Sequence, residues 1–104
     1  MVTFVETQVF TKLVSSYLSD DEYSMVQVTL ATNPEAGPVI PASGGIRKLR
    51  WRTPGRGKRG GLRIIYYLRL AEGQIWMLTL HAKNEAQKIP TATLRQIKEE
   101  LGGG

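Results

Sequence analysis

The chain predicts an α+β domain of order β-α-α-β-β-β-α, with an N-terminal strand and a helical hairpin packed on an antiparallel sheet. Three observations carry this reading. Apolar residues recur at helical spacing in the first third of the 104 residues and again near the end. Between them lie runs rich in β-branched and aromatic residues, bounded by glycine-containing turns. No internal repeat or shift in composition marks a second domain, and a chain of this length buries one core, roughly 65% of its unfolded surface.

The elements follow in order. "VTFVE" opens with β-branched and aromatic residues and predicts a short strand over Val2–Val5. Phe10, Leu13, Val14 and Tyr17 fall at i, i+3, i+4 and i+7, the stripe of an amphipathic helix over Thr7–Tyr17. Ser19 with Glu22 three residues on forms a capping box, and Asp20 and Asp21 suit the positive end of a helix dipole. This second helix should run from Asp20 to Ala31 with Tyr23, Val26 and Leu30 inward, completing an antiparallel pair. Residues 33–45, "NPEAGPVIPASGG", are turn-rich and expected on the surface. A strand over Ile46–Trp51 leads into the loop "RTPGRGKRGG", which cannot pack a core. "LRIIYYLRL", a tight turn at Glu72–Gly73 and "QIWMLTLHA" then make a hairpin. Leu94, Ile97 and Leu101 predict a last helix from Thr91 to Leu101. The domain is therefore residues 1–101, and 102–104, three glycines, are expected to form a flexible tail.

The charge is unevenly spread. The net charge is +5, yet residues 46–63 hold eight Lys or Arg and no Asp or Glu, leaving −3 for everything else. A run of charge is often only a solvated loop. Here no acid relieves the repulsion in eighteen residues, so the relief is expected from a bound polyanion, with nucleic acid as the leading class. The absence of cysteine excludes a disulfide framework and a thiolate metal site, and a single histidine, His81, does not make a zinc site. No apolar run approaches the ~20 residues of a membrane span and no signal pattern opens the chain, so a cytoplasmic protein without membrane partners is expected. "GRGKRGG" is not a P-loop, since it lacks the Gly-Lys-Ser/Thr ending and precedes a strand.

Period-two alternation places the basic groups. Leu62, Ile64, Tyr66, Leu68 and Leu70 should face the helices, and Arg63, Ile65, Tyr67 and Arg69 the other side. On the next strand Trp76, Leu78, Leu80 and Ala82 should share one face, and Met77, Thr79, His81 and Lys83 the opposite one. Leu49 and Trp51 look inward, leaving Lys48, Arg50 and Arg52 outward. A concave cationic site of Lys48, Arg50, Arg63, His81 and Lys83, overhung by Arg56, Lys58 and Arg59, is therefore expected at one end of the hairpin. Tyr67 and Trp51 would offer stacking surfaces there, whereas Trp76 and Tyr66 read as core. The Gly60–Gly61 pair should let a substrate backbone approach Arg63. Lys83 alternatively caps the final helix or pairs with Glu85.

The motifs "GGIRKLRW", "GRGKRGGLRIIYYL" and "WMLTLHAKNE", at this spacing and followed by a helix, resemble the HigB branch of the RelE/ParE superfamily. These are the toxins of bacterial type II toxin–antitoxin pairs, and the similarity spans nearly the whole chain. The resemblance implies a RelE-like fold and a ribosome-dependent endoribonuclease that cleaves mRNA in the 30S decoding site. It implies rRNA contact and a neutralising antitoxin, a helix-turn-helix protein. The family's strand-opening arginine falls on Arg63 and its basic residue after the last strand on Lys83, with the loop cations on Arg56, Lys58 and Arg59. The chain departs from RelE-type members in having no tyrosine after Tyr67.

The chemistry needs neither metal nor other cofactor. A 2′-OH attacks the adjacent phosphate, and fixed cations stabilise the charge of the phosphorane. Arg63 is the candidate phosphate clamp, and Lys83 or His81 the candidate general base or acid. Lys48, Arg50, Arg56, Lys58, Arg59 and Tyr67 are the candidate contacts to RNA and ribosome. The competing readings are a ParE-like inhibitor of DNA gyrase without nuclease activity, and a plain RNA-binding module.

Overall fold

Thr7 is where the helical hairpin begins. Its Oγ1 accepts the Phe10 N–H at 2.9 Å and donates to the Leu78 carbonyl at 2.8 Å, so one hydroxyl caps a helix and ties it to a strand. In this computed structural model, which describes residues 1–52, 61–83, 85 and 90–102, strand β1 (Thr3–Glu6) precedes that cap. Helices α1 (Gln8–Tyr17) and α2 (Asp20–Thr32) follow it, and the Ser19–Glu22 capping box starts α2 with both of its hydrogen bonds. Strands β2 (Arg47–Trp51), β3 (Leu62–Arg69) and β4 (Gln74–Ala82) come next, and helix α3 (Thr91–Gly102) closes the order. A 3-10 turn over Leu70–Glu72 links β3 to β4, with Gly73 left-handed at φ 66°.

The expected order of elements stands, and β2, β3 and β4 pair antiparallel as a meander. The sheet is nevertheless mixed, which corrects the antiparallel expectation. Its order is β1-β4-β3-β2, and β1 joins β4 in parallel, from Thr3 opposite Gln74 to Glu6 opposite Met77. Strand direction follows from how the helical hairpin carries the chain across the sheet, and the residue pattern of "VTFVE" carries no such information.

Both faces of the sheet are covered. Phe10, Leu18, Val26 and Leu30 of the hairpin region pack on Leu49, Leu62, Ile64, Tyr66, Ile75, Met77 and Leu80. On the opposite face Leu94 and Ile97 of α3 pack with Ile46, Ile65, Tyr67, Trp76 and Leu78. The expected phase of β4 is corrected by a bulge. Ile65 pairs with Thr79 and Tyr66 with Met77, so Leu78 is the extra residue. Met77 therefore joins the hairpin side, and Trp76 and Leu78 turn to the α3 side, away from Leu80 and Ala82.

Residues 33–45 are less peripheral than their turn-rich composition suggests. Val39 bridges Arg47, the Ile40 N–H donates to Ile46 O at 2.7 Å, and Lys48 N–H donates to Pro38 O at 3.0 Å. The segment thereby covers part of the edge of β2. Tyr66 anchors it from the core. Its hydroxyl accepts the Gly37 N–H at 2.9 Å and donates to the Pro34 carbonyl at 2.7 Å, and burial raises the phenol's pKa. Among the described residues no helix is long and apolar enough to cross a membrane.

Candidate nucleic-acid site

Three basic residues stand side by side across the sheet. Arg50 of β2 pairs with Arg63 of β3, and Arg63 pairs with His81 of β4. Directly paired residues share a face, with Cβ atoms about 4.5–5.5 Å apart. This row lies on the α3 side, two residues along from Ile65. Lys48, half-buried, continues the face in the next row opposite Ile65, itself paired with the buried Thr79.

The face is thus divided. Its middle is apolar and packed under α3, and its end is cationic. Like charges placed directly across strands repel, and Arg50 and Arg63 are direct cross-strand neighbours that a bound anion could bridge. Arg63 reaches its Leu62 carbonyl with Nη1 at 3.4 Å. The ion pair of Arg69 with Glu72, at 2.8 Å, belongs to the other end of β3.

His81 is oriented by its own strand. Its Nδ1 lies 3.0 Å from the Ala82 carbonyl oxygen. A carbonyl only accepts, so this contact places the proton on Nδ1 and leaves Nε2 of the neutral ring as the acceptor. Such a nitrogen can take a proton from a hydroxyl brought into the site. Lys83 follows immediately. It is exposed, and its N–H donates to the Gly61 carbonyl at 3.0 Å, which keeps the Gly61–Lys83 end in register two residues beyond the Arg63–His81 pair.

Gly61 has a different role from the one expected. At φ 80° it is left-handed, and a Cβ there would collide with the Trp51 carbonyl oxygen. The close approach it permits is to its own chain. Arg56, Lys58 and Arg59, expected to overhang the site, lie outside the described residues, as does Gly60.

The two aromatic candidates part company. Tyr67 is four residues from Arg63 along β3, roughly 13 Å at strand rise. It packs in the α3 cluster with Lys98 Nζ 5.0 Å above its ring centre. Trp51 faces the helical hairpin, lining a cleft of about 580 Å³ with Ser19, Glu22, Met25 and Arg52. Its buried Nε1 has no hydrogen-bond partner among the described residues.

Sequence reasoning missed one feature of this end of the molecule. Glu85, weighed only as a partner for Lys83, gives its Oε1 to the Tyr17 hydroxyl at 2.6 Å and to the Ala82 N–H at 2.7 Å. The Tyr17 bond, with the Ala82 bond next, lowers the carboxyl's pKa, and the same Glu85 bond pushes the Tyr17 phenol up to about 12. Residues 68 apart meet here, and no local pattern announces it. Among the described residues no group of three or more His, Cys, Asp or Glu is placed to hold a metal ion.

A search against protein-family models finds none that matches this chain.

Proposed function

We propose that this chain is the toxin of a type II toxin–antitoxin pair, a ribosome-dependent endoribonuclease that cleaves mRNA. The observation that carries the reading is the Arg50–Arg63–His81 row, two guanidinium groups and an imidazole on one face of adjacent strands. The resemblance of "GKRGGLRIIYY" and "KNE" to HigB-type toxins supports it independently.

In this reading Arg63 clamps the scissile phosphate through its planar fork of donors, and Arg50 holds a neighbouring one. His81 Nε2 takes the proton of the 2′-OH. The 2′ oxygen bonds to phosphorus, the P–O5′ bond breaks, and Lys83 protonates the departing 5′ oxygen. Charge rises on the phosphorane oxygens as the bonds exchange, and fixed cations lower that barrier without reorganising. The chain's acid–base groups are few, so the ribosome would supply the in-line alignment of the 2′-OH. A cytoplasmic location and a neutralising antitoxin belong to the same proposal.

The test is mRNA cleavage in a translation extract, mapped by primer extension. The wild-type chain should cut, and Arg63→Ala and Lys83→Ala should each cut at least about a hundredfold more slowly. Cutting at the wild-type rate by both variants would remove the assigned site. Inhibition of DNA supercoiling without any mRNA cuts would favour the gyrase reading instead.

A further inference from the structure

The turn that leaves β4 is closed by an acid. Glu85 returns its backbone N–H to the Ala82 carbonyl at 3.1 Å and its Oε1 to the Ala82 N–H at 2.7 Å. Lys83, between them, is tied by its own N–H to Gly61 O at 3.0 Å. The same Oε1 accepts the Tyr17 hydroxyl at 2.6 Å, which fastens the turn to the last residue of α1.

We propose that Glu85, braced by Tyr17, is a positioning residue that sets Lys83 and His81 for work on a phosphodiester. The proposal rests on the nuclease reading for its reaction, and on the hydrogen bonds alone for its clasp.

Two physical effects recommend it. An ammonium on a four-carbon stem has much freedom to lose, so fixing the backbone beneath it before substrate arrives leaves less to order afterwards. The Ala82 carbonyl that orients His81 Nδ1 is also the one that receives the Glu85 N–H. One turn therefore governs both groups. A second effect is electrostatic. Lys83 and Glu85 are two residues apart, and a loose carboxylate would be drawn to the ammonium and blunt it. Tyr17 occupies the carboxylate on the α1 side with a charge-assisted bond, about twice as strong as a neutral one.

The experiment uses the full chain and the variants Tyr17→Phe, Glu85→Gln, Glu85→Ala, Lys83→Ala and the double Glu85→Gln/Lys83→Ala. Cleavage kinetics on ribosome-bound mRNA and amide hydrogen exchange are followed together. Tyr17→Phe and Glu85→Gln should lower kcat about tenfold with KM changed less than about twofold. In the Lys83→Ala background, Glu85→Gln should add less than about twofold, because it acts through a group already removed. Exchange at the Ala82 amide should quicken about tenfold or more in Glu85→Ala, which removes the acceptor that glutamine would keep, with Ile64 in the core unchanged.

Unchanged kcat, or full additivity with Lys83→Ala, overturns the positioning role. Unchanged exchange at Ala82 overturns the clasp itself. Should the wild-type chain cut no RNA, the nuclease reading falls and the positioning role falls with it, while the clasp is still decided by exchange.

Discussion

Arg63 and His81 face each other across β3 and β4, and Arg50 stands on the far side of Arg63 in the same row. Two guanidinium groups as direct cross-strand neighbours repel, so a function that needs them should trade against stability.

Replacing Arg50 by alanine should therefore leave the fold intact and raise its stability slightly, by up to about 1 kcal/mol. RNA affinity should move the opposite way. Each lost phosphate contact should flatten the dependence of log K on log salt by about 0.7. Urea unfolding and RNA titrations across a salt series check the two halves. A variant that loses stability and keeps its salt slope would contradict both. Arg63→Lys should keep the slope and still cleave slowly, because an ammonium cannot form the bidentate contact.

Tyr66→Phe tests what holds the residue 33–45 segment. The substitution keeps the buried ring and strands the Gly37 N–H and the Pro34 carbonyl. An unpaired buried polar group costs about 1–3 kcal/mol. Chemical denaturation should show a loss of that size. RNA binding should not change, since the hydroxyl faces the hairpin side.

Gly61→Ala should be more damaging than its size suggests. The position is left-handed and its missing Cβ is where the Trp51 carbonyl sits. A loss above about 1 kcal/mol is expected, with the register next to Leu62 disturbed. Thermal unfolding measures the first. Faster hydrogen exchange of the Lys83 amide, which bonds to the Gly61 carbonyl, measures the second.

The Tyr17–Glu85 bond makes stability depend on pH at both extremes. Glu85 has a pKa below its ordinary 4.5, so its contribution is present above that value and is lost as pH falls through the lower folded one. Tyr17 is raised from 10.0 to about 12, so its contribution is complete below pH 10 and disappears between 10 and about 12. In Tyr17→Phe both limbs of the stability profile should flatten. Absorbance titration of the phenols should also lose a late-ionising group. An unchanged alkaline limb would mean that this bond does not form in solution.

Much of the fold could be read from local pattern because local physics decides it. The Phe10-Leu13-Val14-Tyr17 stripe, the Ser19–Glu22 box and the Thr91 helix depend on neighbours within a few residues, and their bounds match within one or two positions. The basic residues on β2 and β3 were equally legible. Alternation over a strand without a bulge is a rule of geometry, and it placed Lys48, Arg50 and Arg63 on one face. On β4 the same rule failed at Leu78. Nothing in "QIWMLTLHA" tells which residue the ladder will leave unpaired, and Trp76, Leu78 and Met77 were assigned to the wrong sides.

By itself the sequence determined the segments: where helices start, which runs are strands, and that one stretch gathers cations without acids. Those properties follow from residue type and from contacts a few positions away. The tertiary structure alone decided the parallel pairing of β1, the packing of α3 on Ile65, Trp76 and Leu78 beside the basic row, and the meeting of Tyr17 with Glu85. Each of these depends on distant parts of the chain arriving together, and the free energy of such a meeting belongs to the pair and is written in neither residue's neighbourhood.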